Sequence, residues 1–197
     1  MPPSDLRVHL RDALLQAPPP ASGPPDGEGR PAAVLIPLID GAEPSIVFTK
    51  RADDLPRHAG EMSFPGGLLH ESDRDLLHTA LRETEEELGL APSDIEVLGA
   101  LEPFLTYSTG FWLTPFVGAL SPGQRFAPSP AEIAEVVEVP LTKLAQIERE
   151  VEYQRETWTW TGFAYEVNEH TIWGATGRIL HEFLEILRKE MSWPRTN

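Results

Sequence analysis

Short β-branched and aromatic segments gather around one long amphipathic helix in this chain, an arrangement few architectures can accommodate. Ala33 to Ile39 is almost continuously apolar, broken by Pro37, and Ser45 to Thr49 repeats the strand character after an Asp40-Gly41 turn. Further strand-like stretches lie near Ile95 to Leu101, Phe111 to Leu120 and Glu132 to Val139, and Val151 to Tyr165 has the Thr and aromatic content of a hairpin. Helical spacing predicts helices over residues 4–17 with Ser4 as N-cap, over Asp73 to Leu90, over Leu141 to Ile147 and over Trp173 to Met191. In the last of these Trp173, Leu180, Phe183, Leu184 and Leu187 are expected in the core. Strands and helices do not alternate evenly, so an α+β sandwich is expected rather than a doubly wound parallel sheet.

Residues 18–31 hold six prolines and three glycines and, apart from Ala21, no hydrophobic side chain, which reads as an extended linker. The expected organisation is therefore an N-terminal helix and Pro/Gly-rich linker over 1–31, one catalytic domain over 32–191 and a short tail over 192–197.

Charge and cysteine content narrow the function classes. The formal net charge of −15 repels nucleic acid and anionic membranes unless positive charge is locally concentrated. A phosphate-bearing partner is compatible with it only if cations such as Mg²⁺ or Mn²⁺ reverse the field locally. The chain has no cysteine, which removes disulfides, thiolate zinc sites and cysteine nucleophiles. No apolar run approaches the roughly 20 residues that span a bilayer, and neither end carries a recognisable targeting signal, so a cytoplasmic protein is expected.

The chemistry is concentrated in Arg82-Glu83-Thr84-Glu85-Glu86-Glu87-Leu88-Gly89-Leu90. A helix turns about 100° per residue, so Glu83, Glu86 and Glu87 share one face while Glu85 points elsewhere. Leu77, Leu81, Thr84 and Leu88 form a second stripe suited to packing on a sheet. Like charges on one helix face repel, and hard divalent cations with oxygen ligands would turn that repulsion into binding. Arg82, four residues before Glu86, can brace a carboxylate from the side. A solvated acidic face is the alternative reading of any glutamate run; what lies upstream decides between them.

Phe64-Pro65-Gly66-Gly67 precedes Arg82, and the stretch from Gly67 to Leu90 resembles the Nudix box. Gly67, Arg82, Glu83, Glu86, Glu87, Gly89 and Leu90 fit that pattern. The spacer between Gly67 and Arg82 is fourteen residues, one longer than the usual thirteen, so the first acidic position of the box falls on Asp73 counted forwards or on Arg74 counted backwards. The resemblance implies a Nudix-like α/β/α sandwich with a mixed β-sheet and hydrolysis of a diphosphate bond with Mg²⁺ or Mn²⁺. It also implies Glu83 and Glu87 as metal ligands, Glu86 as a third ligand or the proton acceptor, and the Gly67 carbonyl completing the shell, with Glu83 and Glu86 catalytic. Members of the superfamily often place the general base outside the box, and Glu132 is the candidate here.

Phe48-Thr49-Lys50-Arg51-Ala52, then Gly60 and Phe64-Pro65-Gly66-Gly67, resembles the signature of the coenzyme A diphosphatase branch, with Pro56 where that branch has arginine and Arg57 one position later. Gly110-Phe111, Thr114-Pro115 and Ile172-Trp173-Gly174-Ala175-Thr176 extend the likeness, which covers roughly residues 33–188. It implies coenzyme A as substrate, with Lys50, Arg51, Arg57 and His58 as a local basic cluster for its phosphates, and gives Trp173, expected in the core, the alternative of bordering an adenine or pantetheine pocket. Other Nudix substrates, namely ADP-ribose, reduced NAD and dinucleoside polyphosphates, or a catalytically silent nucleotide-binding domain, are the alternatives, because a box reports chemistry and not the leaving group. Homodimer formation is left open by the sequence.

Overall fold

A computed structural model of the protein describes residues 3–16, 27, 29–55, 58–155 and 158–191. Most of the expected linker, Arg57 and the tail from residue 192 lie outside the described residues.

Strand β1 (Arg30–Ile39) is the axis of a mixed sheet. Along its whole length it pairs in parallel with β7 (Phe111–Leu120), from Arg30↔Phe111 to Ile39↔Leu120. On its other edge it meets β4 (Gly66–Leu68) near its start and β2 (Ser45–Arg51) at its end. That split explains the proline. The Leu35 amide donates to the Pro65 carbonyl on this edge, so position 37 faces the same side, between the last β4 pair at Val34 and the first β2 pair at Leu38, where a missing N–H interrupts neither ladder. β2 continues to β3 (Met62–Ser63) and β8 (Ile133–Pro140), while β7 carries β5 (Glu96–Ala100) and β6 (Phe104–Leu105). A second, antiparallel sheet joins β9 (Glu148–Arg155), β10 (Trp158–Val167) and β11 (His170–Ile172).

Helices cover both faces of the main sheet. On one side Ala33, Leu35 and Phe116 pack with Leu76, Ala80 and Leu88 of α2 (Leu76–Leu88). On the other, Ala32, Ile36 and Leu38 join a larger core with α1 (Pro3–Ala13), α3 (Leu141–Ile147), α4 (Gly174–Met191) and the second sheet. This is the expected α+β sandwich with a mixed sheet. α1 buries Leu6 and Leu10, and Leu14 just beyond its end, in that core, Arg7 pairs with Asp40 and Glu96, and Leu15 bridges to Ala100 through hydrogen bonds of 2.9 and 3.0 Å. The helix starts one residue earlier than expected, which puts Ser4 inside its first turn rather than at the cap.

Two expectations need correction. Trp173 is 42% exposed, because strand alternation turns Ile172 into the core and its neighbour outward, and α4 begins only at Gly174. Leu180, Phe183, Leu184 and Leu187 are buried as expected. In α2 the fully buried row is Leu76, Ala80, Thr84 and Leu88, joined by Thr79 and Glu87, whereas Leu77 and Leu81 are only partly buried. Thr84 is tolerated there because its hydroxyl donates to the Ala80 carbonyl at 2.7 Å.

Candidate active site

Helix α2 is fixed at both ends by its own sequence. Asp75 caps it, its Oδ1 accepting the His78 amide at 2.7 Å, and Gly89 closes it in the left-handed conformation with its N–H on the Glu85 carbonyl. The last carbonyls would be orphaned, and the loop after β7 satisfies them: Ala127 N–H donates to Leu88 O at 2.8 Å and Ser129 N–H to Glu87 O at 3.1 Å. This docking, with the Ala52 amide on the Glu132 carbonyl at 2.8 Å, brings Glu132 to the acidic end of the helix.

Asp73 is the acid that answers Arg82, which resolves the ambiguity of the longer spacer. Its buried carboxylate receives Arg82 Nε and Nη2, both at 2.9 Å, with Thr79 Oγ1 at 2.9 Å, the His70 amide at 3.0 Å and His78 Nδ1 at 3.0 Å. The Arg82 guanidinium holds that carboxyl far below the usual range, and Asp73 in turn raises the Arg82 pKa. The remaining Arg82 Nη1 donates to Glu83 Oε1 at 2.8 Å and to Glu86 Oε2 at 3.2 Å.

The three box glutamates stand at different depths. Glu87 is 3% exposed, Glu83 is half-buried, and the Glu86 side chain is 58% exposed; Glu85 points to solvent as expected. Among the described residues no three acidic or imidazole groups meet at coordination distance, Glu83 and Glu86 both being turned toward Arg82. Burial pushes the Glu87 carboxyl up to about 8, reinforced by the negative charges of Glu83 and Glu132 and opposed by Arg51 and a backbone hydrogen bond from Gly66. Burial likewise raises Glu83 against the pull of Arg82, with Glu86 and Glu132 adding to the rise. Gly67 leaves room for this: a Cβ there would lie 2.4 Å from Glu83 Oε1.

Oxygen donors that are costly to ionise beside one another are the set a hard divalent cation stabilises, so Glu83, Glu86, Glu87 and the Gly67 carbonyl suit Mg²⁺ or Mn²⁺. The expected basic cluster is only partly assembled. Arg51 lies close enough to Glu87 to oppose its rise, and its buried Nε has no hydrogen-bond partner among the described residues. Lys50 faces the other side of the sheet beside Met62 and pairs with Asp53 at 3.5 Å. His58, at φ 56, pairs with Glu61 at 2.8 Å. Arg51 as the counter-charge to Glu87 escaped sequence reasoning; strand alternation past Lys50 was the available signal.

Residues 29–161 match the family model for the NUDIX domain. An uncharacterized Nudix hydrolase NudL from Photorhabdus laumondii subsp. laumondii is 38% identical over 173 residues, covering 87% of this chain and 91% of that protein. Its namesake from Pectobacterium atrosepticum is 35% identical over 190 residues, covering 92% and 95%. A MutT/nudix family protein from Enterococcus faecalis superposes with a TM-score of 0.54 at 16% identity, over 81% of this chain and 62% of that one, a likeness of fold.

Proposed function

Because this chain belongs to the Nudix family, its activity is hydrolysis at a diphosphate bond, and we propose that the bond is that of coenzyme A, cleaved to 3′,5′-ADP and 4′-phosphopantetheine. Nudix hydrolases generally use divalent ions such as Mg²⁺ or Mn²⁺, and here Glu83, Glu86, Glu87 and the Gly67 carbonyl would hold them. Bound there, the ions neutralise phosphoryl oxygens and lower the pKa of water.

The protein's own groups do the rest. Arg51, already beside Glu87, offers a guanidinium to the diphosphate, and His58 and Arg57 serve the 3′-phosphate, His58 once it leaves Glu61. Glu132 accepts the proton of the attacking water, Arg82 holds Glu83 and Glu86 in position, and Asp73 holds Arg82. One phosphorus gains the water oxygen, the bridging P–O bond breaks, and two phosphate monoesters leave.

The observation carrying the substrate reading is the convergence of Phe48-Thr49-Lys50-Arg51-Ala52 and Phe64-Pro65-Gly66-Gly67, whose Phe48 and Phe64 rings stack at 5.0 Å, with Arg51 and Gly66 both acting on Glu87. We take residues 32–191 as the hydrolase domain, with α1 packed onto it, and a cytoplasmic location. Among the described residues no helix is long and apolar enough to cross a membrane. The test is incubation with coenzyme A, ADP-ribose, reduced NAD and diadenosine polyphosphates plus Mg²⁺ or Mn²⁺, reading products by mass spectrometry. Release of 4′-phosphopantetheine at the highest kcat/KM of the panel supports the assignment; preference for another member replaces it.

A further inference from the structure

Trp173, unexpectedly outside the core, lines a cleft of about 370 Å³ on the solvent face of the second sheet, together with Arg149, Val151, Tyr153, Ala164, Glu166 and Thr171. Strand alternation explains the set: Arg149, Val151 and Tyr153 are every second residue of β9, Arg149 is opposite Ala164, and Glu166 is opposite Thr171. The Tyr153 and Trp173 rings stand 6.0 Å apart at 34°, and the Tyr153 ring rests against Gly162, where a Cβ would lie 2.9 Å from its Cε2. Tyr153 also takes a backbone hydrogen bond from Gly174, which fixes one wall beside the exposed Trp173.

The cleft's chemistry selects its ligand. Its volume lies in the lower part of the range for small-molecule sites. Its one cation among the described residues, Arg149, is already paired with Glu166, in a protein of net charge −15, so a phosphate is poorly served while a neutral aromatic ring is not. The Arg149–Glu166 pair at the rim sets a donor beside an acceptor, matching the ring nitrogen and amino group along one edge of adenine. The strand that carries Thr171 also lies next to the strand leading into the box. β11 packs beside β3, which leads into Gly66-Gly67, and His170 Nε2 lies 3.0 Å from Glu135 Oε2, three residues along the chain from Glu132.

We propose that this cleft binds the adenine ring of a nucleotide, stacked on Trp173 and Tyr153 with Glu166 and Arg149 reading its amino edge. The choice of adenine rests on the substrate reading given above; the ring-binding chemistry of the cleft does not.

Calorimetric titration of AMP, without metal, into the wild type, Trp173→Ala and Trp173→Phe tests it. AMP binding should weaken about ten-fold in Trp173→Ala, stay within about two-fold in Trp173→Phe, and exceed that of ribose 5-phosphate only where the ring at 173 is present. Equal AMP affinity in wild type and Trp173→Ala, or equal affinities for AMP and ribose 5-phosphate in the wild type, overturns the proposal. A parallel rise in KM for coenzyme A in Trp173→Ala places the substrate's own base in the cleft; an unchanged KM with lost AMP binding makes it a separate nucleotide site. If coenzyme A is not cleaved while the AMP pattern holds, the substrate reading fails and the cleft assignment stands; the reverse pattern fails the cleft alone.

Discussion

Asp73 and Arg82, nine residues apart, meet in a two-pronged ion pair with Nε on Oδ1 and Nη2 on Oδ2, each at 2.9 Å, and the same guanidinium reaches Glu83 and Glu86. The loop before α2 is thereby coupled to the acidic face of the helix. Asp73→Ala leaves Arg82 without its buried partner and should lower the unfolding free energy by about 3 kcal/mol, read from urea denaturation, together with kcat. Unchanged stability and turnover would show that Glu83 and Glu86 alone fix the guanidinium.

The glutamates should separate by depth and facing. Glu83→Gln and Glu86→Gln are each expected to lower kcat/KM by about a hundredfold or more with the far-ultraviolet circular dichroism unchanged. Glu85→Gln, on the solvent side, should change it less than about two-fold. Equal losses at all three positions would contradict the facial assignment.

Glu87 gives the metal-free protein a pH signature. Its folded pKa, about 8, lies above the ordinary carboxyl value of 4.5, so the folded state holds the proton more tightly. This contribution is fully present below about 4.5 and is lost as the pH rises through about 8. In chelator, Tm should therefore fall between pH 5 and 8 relative to Glu87→Gln, and Mg²⁺ or Mn²⁺ should raise Tm more at pH 8 than at pH 5. A metal-induced rise independent of pH would place the ions elsewhere.

A second polar cluster predicts the opposite sign. Burial alone would raise the Glu148 carboxyl, but hydrogen bonds from His181 at 3.0 Å, Tyr165 at 2.6 Å and Arg188 bring it down to about 2. Its stabilising share is present above the ordinary value of 4.5 and is lost as the pH falls toward 2. Acid titration followed by circular dichroism should show the wild type losing more stability over that interval than Glu148→Gln, and identical curves would remove the carboxylate from acid unfolding.

The N-terminal helix is part of the core rather than an appendage. Leu10 is 1% exposed, and Leu10→Ala should cost about 3 kcal/mol, measured by thermal or urea unfolding. A cost below about 0.5 kcal/mol would show α1 to be loosely attached.

Periodicity made most elements legible, because Ala33 to Ile39, Phe111 to Leu120 and Leu180 to Leu187 each repeat with the period of the structure they form. Very short strands such as Met62–Ser63 and Phe104–Leu105 carry no such period; their pairing partners define them. The glutamate helix was readable from spacing, but its rotation was not, since Leu76 and Leu77 offer equally apolar stripes and only packing against β1 buries Glu87. The Trp173 misassignment has a similar cause: an aromatic at a strand-to-helix junction satisfies both periods, and where α4 starts decides which way it faces.

The seam between α2 and the loop after β7 makes Gly89 a distant governor of chemistry. A side chain there would meet Ala127 Cβ at 2.9 Å in a conformation, φ 68, that already disfavours one, and the displaced loop would carry Glu132 with it. A residue remote from the proposed chemistry thus sets the spacing between Glu132, the proposed proton acceptor, and the carboxylates proposed to hold the ions, and drift at position 89 would register in turnover as well as in the fit of the loop.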